Sequence, residues 1–306
     1  MFILRILLGI FVLTHCTISA LFAQDTALNQ REVIYGRKDG MALTMIVATP
    51  KGKSNGKSII QVISSGYISD MRYWNEQQAK LFVANGYVVF AVAHGSQPRY
   101  TLPDAIGDIQ RAVRFIKYHA SEYGIDSGKI GITGSSSGAN LALLAGLMDG
   151  TGDPKSDDPV DHLSGKANAV ACWAPPTDLL DWRWMGDNVL NSGIFEKYPY
   201  FNPAVDFKHQ DTISFKFVSI TDTVVRNQIL KNLSPVNYVS NDDPPVLTLH
   251  GDKDETVPIR QSEILIAALK QVGVTGRLVI APGADHRSIP PNANQAYADW
   301  FNQYLK

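Results

Sequence analysis

Cysteine is scarce in this 306-residue chain, with only Cys16 and Cys172 present. A framework of several disulfides and a zinc site built on several thiolates are therefore excluded. Charge of one sign is also lacking. Lys plus Arg total 28 and Asp plus Glu total 29, for a formal net charge of −1. No basic surplus drives the chain toward nucleic acid, and no run of like charge marks an interaction tail. There is no internal repeat, no dinucleotide fingerprint and no His-Glu-x-x-His motif. The stretch 51–58 looks like a phosphate loop but fails as one. Only three residues separate Gly52 from Gly56, and a strand pattern rather than a helix follows. It is expected to be a solvated, hairpin-like connection.

Long apolar runs are confined to the N-terminus. Arg5 precedes the run from Ile6 to Leu13, and the small residue Ala23 closes the segment. This reads as a secretory signal peptide over residues 1–23, leaving 24–306 as the folded domain. Thr14, His15 and Thr17 interrupt the run and argue against a full membrane span. The expected location is the periplasm or the cell exterior, with no stable membrane association after cleavage.

What is present is a globular composition, 45% apolar and 19% charged. Short apolar runs at 42–49, 58–64, 87–93, 129–133, 167–173, 246–250 and 277–281 read as strands. Amphipathic stretches at 74–84, 104–123, 139–148, 260–272 and 292–305 read as helices. Strand-helix alternation predicts an α/β fold, a mostly parallel twisted sheet with helices on both faces. Such sheets place their sites at the carboxyl ends of strands. Residues of about 174–240 break the rhythm, with Trp182, Trp184, Tyr198, Tyr200, Phe201 and Phe207 at no regular period. This stretch reads as an insertion that caps a site.

Gly134-Ser135-Ser136-Ser137-Gly138 lies between a strand pattern and a helix pattern. A nucleophile on so tight a turn needs glycine two residues to either side, and only Ser136 has both. A serine hydroxyl needs a base, and the base needs an orienting acid. Past the strand at 246–250 come Asp252 and Asp254, and past the strand at 277–281 comes His286 in a glycine-containing loop. The order Ser, Asp, His fits one known arrangement of this catalytic set.

With these motifs the chain, over roughly residues 33–305, resembles an α/β-hydrolase of the esterase and lipase type. The pattern is most similar to secreted bacterial feruloyl and acetyl-xylan esterases. It is more distantly similar to the catalytic domain of prolyl oligopeptidase-type peptidases. The resemblance rests on Gly134–Gly138, on Pro244–Pro258 and on Pro282–His286. It implies Asp254 as the acid, with Asp252 and His250 structural. It implies an oxyanion hole built from the N–H groups of Ser65 or Gly66, where the family usually reads His-Gly-Gly-Gly, and of Ser137. Tyr67, His94, Trp182 and Trp184 become candidate substrate contacts. The implied activity is serine carboxylic-ester hydrolysis through an acyl-enzyme, on acetyl or feruloyl esters of polysaccharides, with no cofactor or metal. A serine exopeptidase and a silent hydrolase-fold binding protein are the alternatives. Those peptidases usually carry a large N-terminal gating domain, and the stretch before the first strand pattern is too short for one. Binding alone does not need Ser136, Asp254 and His286 together.

Overall fold

Alternation along the strands decides the layering. The computed structural model describes residues 28–96, 99–183, 186–199, 202–290 and 292–306. The expected signal peptide lies outside them, as does Trp184. The strands are β1 (Asn29–Lys38), β2 (Met41–Thr49), β3 (Gly56–Ile63), β4 (Val88–Ala93), β5 (Ile125–Ser135) and β6 (Ala169–Trp173), then β7 (Lys208–Gln210), β8 (Phe217–Ser219), β9 (Val246–Gly251) and β10 (Gly276–Ala281). The helices are α1 (Glu76–Ala84), α2 (Leu102–Tyr118), α3 (Ser137–Leu147) and α4 (Ile194–Lys197), then α5 (Asn202–Val205), α6 (Thr223–Asn232), α7 (Arg260–Gln271) and α8 (Ala293–Tyr304).

Eight strands form one sheet in the order β1-β2-β4-β3-β5-β6-β9-β10. The β1–β2 and β2–β4 pairings are antiparallel, and every pairing from β4 to β10 is parallel. Successive side chains go to opposite faces. Ile60, Val62, Phe90 and Val92 join one core with α2, α3 and α7, whereas Ile59, Val89 and Leu249 join a second with α1 and α8. Helix α3 is apolar on nearly every side beyond Ser137 and Asn140, as suits a helix at the centre of such a layer, and every residue in it is buried.

Two expectations change, and one strand is added to those expected. The 51–58 segment is no hairpin, because β4 lies between β2 and β3 in the sheet. Helix α2 ends at Tyr118 rather than Tyr123; Tyr123 reaches the core from a turn, edge-on to Phe90 with ring centroids 5.0 Å apart. The edge strand β1 gives no alternating signal, because only Tyr35 in it is buried.

Between β6 and β9 the chain leaves the sheet. The described residues between 174 and 245 include α4, α5, the separate β7–β8 pair and α6 before β9 pairs with β6. Two fully buried amides pin this excursion to the frame. Asn140 of α3 donates to the carbonyls of Pro176 and Leu233. Gln261 of α7 accepts from the N–H groups of Thr177 and Asp178 and donates to the carbonyls of Asp181 and Trp182.

Candidate active site

The carboxyl end of β5 turns abruptly into α3. Ser136 sits at that turn with φ 54° and ψ −121°, a strained conformation costing about 1–3 kcal/mol. The flanking glycines are required by space. A Cβ on Gly134 would stand 2.3 Å from the Gly138 carbonyl oxygen, and one on Gly138 would stand 2.8 Å from the Val62 carbonyl oxygen. The Ser136 N–H donates to the Trp173 carbonyl at 2.9 Å, and its own carbonyl accepts from Ala139 and Asn140 at 3.0 Å. The sheet and the helix thus hold the strained residue from both sides.

Two loops bring the remaining groups. After β9, Asp254 places one carboxylate oxygen on the N–H groups of Thr256 and Val257, each at 2.9 Å. The other accepts from His286 Nδ1 at 2.7 Å. A carboxylate only accepts, so the proton is on Nδ1 and Nε2 is free to accept. Nε2 lies 2.9 Å from Ser136 Oγ. The Asp254 side chain is fully shielded and that of His286 is 17% exposed. Asp252 accepts from the Gly283 N–H at 2.7 Å and so ties the acid loop to the histidine loop. Trp173 Nε1 donates to the His286 carbonyl at 2.9 Å.

His250 stands fully buried behind the acid. Its Nε2 donates to the Val257 carbonyl at 2.8 Å and lies 3.4 Å from Asp254 Oδ2, while Nδ1 accepts from Ser262 Oγ at 2.8 Å. Burial alone would raise the Asp254 pKa. Hydrogen bonds from His250, His286 and the Val257 N–H outweigh it and lower the value to about 2.

The loop after β3 makes a tight turn. Ser65 and Ile68 exchange N–H···O bonds of 2.9 and 3.0 Å, with Gly66 at φ 56° and Tyr67 at φ 62°. The N–H of Ser65 is therefore spent on the Ile68 carbonyl, which removes it from the expected anion donors. Among the described residues, the N–H groups of Gly66, Tyr67 and Ser137 have no acceptor.

Gly66, Tyr67, Ser136 and Ser137 line a cavity of about 60 Å³ whose other walls are almost entirely apolar. Leu179, Trp182, Val189, Phe195, Leu230 and Leu233, all from the excursion, close it. Trp182 is thus in the wall. The Tyr67 hydroxyl is sealed from solvent without a partner, and burial raises its pKa well above the ordinary range. His94 does not line the cavity. It is buried, its Nδ1 donates to the Gly95 carbonyl at 2.7 Å, and its Nε2 is sealed without a partner. Desolvation lowers its pKa to about 4. Sequence reasoning did not find the aliphatic wall or the contact of His250 with Asp254. The only signal for the wall was an aperiodic cluster of apolar side chains.

Comparison with known proteins follows the same lines. The BD-FAE family model matches residues 45–269. Esterase LipQ of Mycobacterium tuberculosis is 29% identical over 202 residues, which cover 66% of this chain and 42% of that protein. The chain spans about half the length of the curated relatives it matches. A solved structure described as a truncated carbohydrate esterase from gut microbiota superposes with a TM-score of 0.70 at 23% identity, covering 92% of this chain and 98% of that one. An acetyl ester-xyloside bifunctional hydrolase from Caldicellulosiruptor lactoaceticus superposes with a TM-score of 0.68 at 21% identity, covering 90% and 94%. These likenesses show the α/β-hydrolase fold.

Proposed function

This chain belongs to the BD-FAE family, and from that premise we propose that it is a serine carboxylic-ester hydrolase for short acyl esters of saccharides. The observation that carries the reading is the unbroken chain of hydrogen bonds from Asp254 through His286 to Ser136. His286 Nε2 takes the Ser136 proton as Oγ attacks the ester carbonyl carbon. The N–H of Ser137, with that of Gly66 or Tyr67, receives the developing oxyanion. The imidazolium returns its proton to the leaving alcohol, and Asp254 stabilises the charged ring. Water, deprotonated by His286, then adds to the acyl-enzyme and releases the acid and Ser136.

The size of the cavity bears on the acyl group. A water-sized group needs about 10–15 Å³ of such space, so about 60 Å³ suits an acetyl or other short chain. Among the described residues the wall holds no acid, which leaves nothing there to hold the amino terminus of a peptide. The two similar solved structures, a carbohydrate esterase and an acetyl ester-xyloside bifunctional hydrolase, support a saccharide alcohol. The N-terminal pattern at 1–23 supports export to the periplasm or beyond.

The test is turnover of p-nitrophenyl acetate, butyrate and octanoate, methyl ferulate, acetylated xylan and a proline p-nitroanilide by the protein beside its Ser136→Ala variant. Acetate and acetylated xylan should be cleaved best. The variant should lose on the order of 10³-fold or more in kcat. Near-normal ester turnover by the variant, or anilide cleavage exceeding ester cleavage, would overturn the reading.

A further inference from the structure

The excursion contains a second space that ester hydrolysis leaves unused. It is a cleft of about 440 Å³, within the range of small-molecule sites. Phe195 and Val205 wall both this cleft and the cavity at Ser136, so the two stand back to back. Their chemistry differs. Asn191, Asn202 and Asn227, with Arg226 of α6, are among the residues that line the cleft. Among the described residues the Arg226 guanidinium makes no hydrogen bond and no ion pair, and its Nε is sealed from solvent without an acceptor. Asp206, the one acid on the wall among the described residues, is paired with Lys208 at 2.7 Å. Among the described residues the Arg226 charge at the cleft has no counter-charge paired with it.

We propose that this cleft binds a carboxylate-bearing sugar, a uronic-acid unit of the saccharide whose neighbouring residue carries the ester. The proposal rests on the ester-hydrolase reading for the position of that ester. A carboxylate presents two oxygens in a plane and can bridge the two Nη groups of a guanidinium end-on, and for Arg226 only Nε is sealed from solvent. One guanidinium balances one carboxylate charge, whereas a phosphate dianion would be left half neutralised. Side-chain amides both donate to and accept from sugar hydroxyls. Phe195 offers an apolar face to the C–H side of a sugar ring. Phe195 and Val205 belong to both walls, so the two spaces are neighbours and a saccharide unit held in the cleft lies beside the cavity that holds Ser136.

Binding is measured by calorimetric titration of the Ser136→Ala chain, which does not consume its ligand. The titrants are a glucuronic-acid-bearing xylo-oligosaccharide, its neutral counterpart of equal length, and sodium acetate. The acidic oligosaccharide should bind about tenfold more tightly than the neutral one, as a charge-assisted bidentate contact provides. Arg226→Gln should level the two, while p-nitrophenyl acetate turnover in the Ser136-containing Arg226→Gln chain stays at the parent value. Asn227→Ala should weaken both oligosaccharides. Equal binding of the two by the parent, binding of neither, an undiminished preference in Arg226→Gln, or displacement by equimolar acetate would each overturn the proposal. Absence of ester turnover in the parent would sink the hydrolase reading instead and leave the titration interpretable.

Discussion

Ser136, Asp254 and His286 lie far apart in sequence and meet within hydrogen-bond distance. Each stands just past a strand end, and that position is what made them readable beforehand. Asp252 and Asp254 were separable only by resemblance, because their difference is one of partners. Asp252 binds a loop N–H, and Asp254 binds an imidazole. His94 and Ser65 show where residue type misleads. A histidine at a strand end can be buried, and a backbone N–H can be spent inside its own turn. Titration separates His94 from Asp254. The His94 pKa is lowered from 6.5 to about 4 by burial. Between those values the unfolded chain binds a proton that the folded chain refuses, so stability falls as pH drops through that window, by about 3 kcal/mol. The Asp254 pKa is lowered from 3.8 to about 2, so its contribution is present above pH 3.8 and is lost toward pH 2, about 2 kcal/mol in all. Denaturant unfolding at a series of pH values should show His94→Asn flattening the upper window and Asp254→Asn the lower. A His94→Asn curve parallel to the parent between pH 6.5 and 4 would refute the first assignment.

At the scale of elements, the parallel core was legible because buried strands are continuous apolar runs bounded by turn residues. Val88 to Ala93 is such a run, and Ile59 to Ile63 is one interrupted only by Gln61. Strand β1 was not legible, since an edge strand that buries one side chain carries no pattern. The excursion was visible only as a break in rhythm. Its short helices and hairpin take their shape from long-range anchors rather than from local periodicity. Gln261 is the most demanding of these anchors, because its amide serves four backbone groups of residues 177–182. Gln261→Ala leaves those groups unmatched in the interior, at a cost on the order of 3 kcal/mol or more. Thermal unfolding should register that loss, and KM for p-nitrophenyl acetate should rise because Leu179 and Trp182 of the cavity wall adjoin the same segment. A variant with the parent's melting temperature and KM would show that the anchor is dispensable.

On the scale of the whole molecule, the sheet supplies reactive groups and the excursion supplies shape. No single segment contains the cavity, which is why its aliphatic wall could not be read from the sequence. Leu230 of α6 is fully buried and lines the cavity. Leu230→Ala should cost about 2–5 kcal/mol of stability and move the acyl preference from acetate toward butyrate and octanoate. An unchanged chain-length profile in a folded variant would mean that the acyl group lies elsewhere. The central claim is that Ser136 becomes covalently acylated with His286 as its base. The most direct measurement is reaction with a fluorophosphonate probe followed by peptide mapping, on the parent, Ser136→Ala and His286→Ala. The account predicts one adduct, on the peptide carrying Ser136, with no adduct in Ser136→Ala and labelling at least 10²-fold slower in His286→Ala. An adduct on another serine, or equal labelling rates in the parent and His286→Ala, would contradict it.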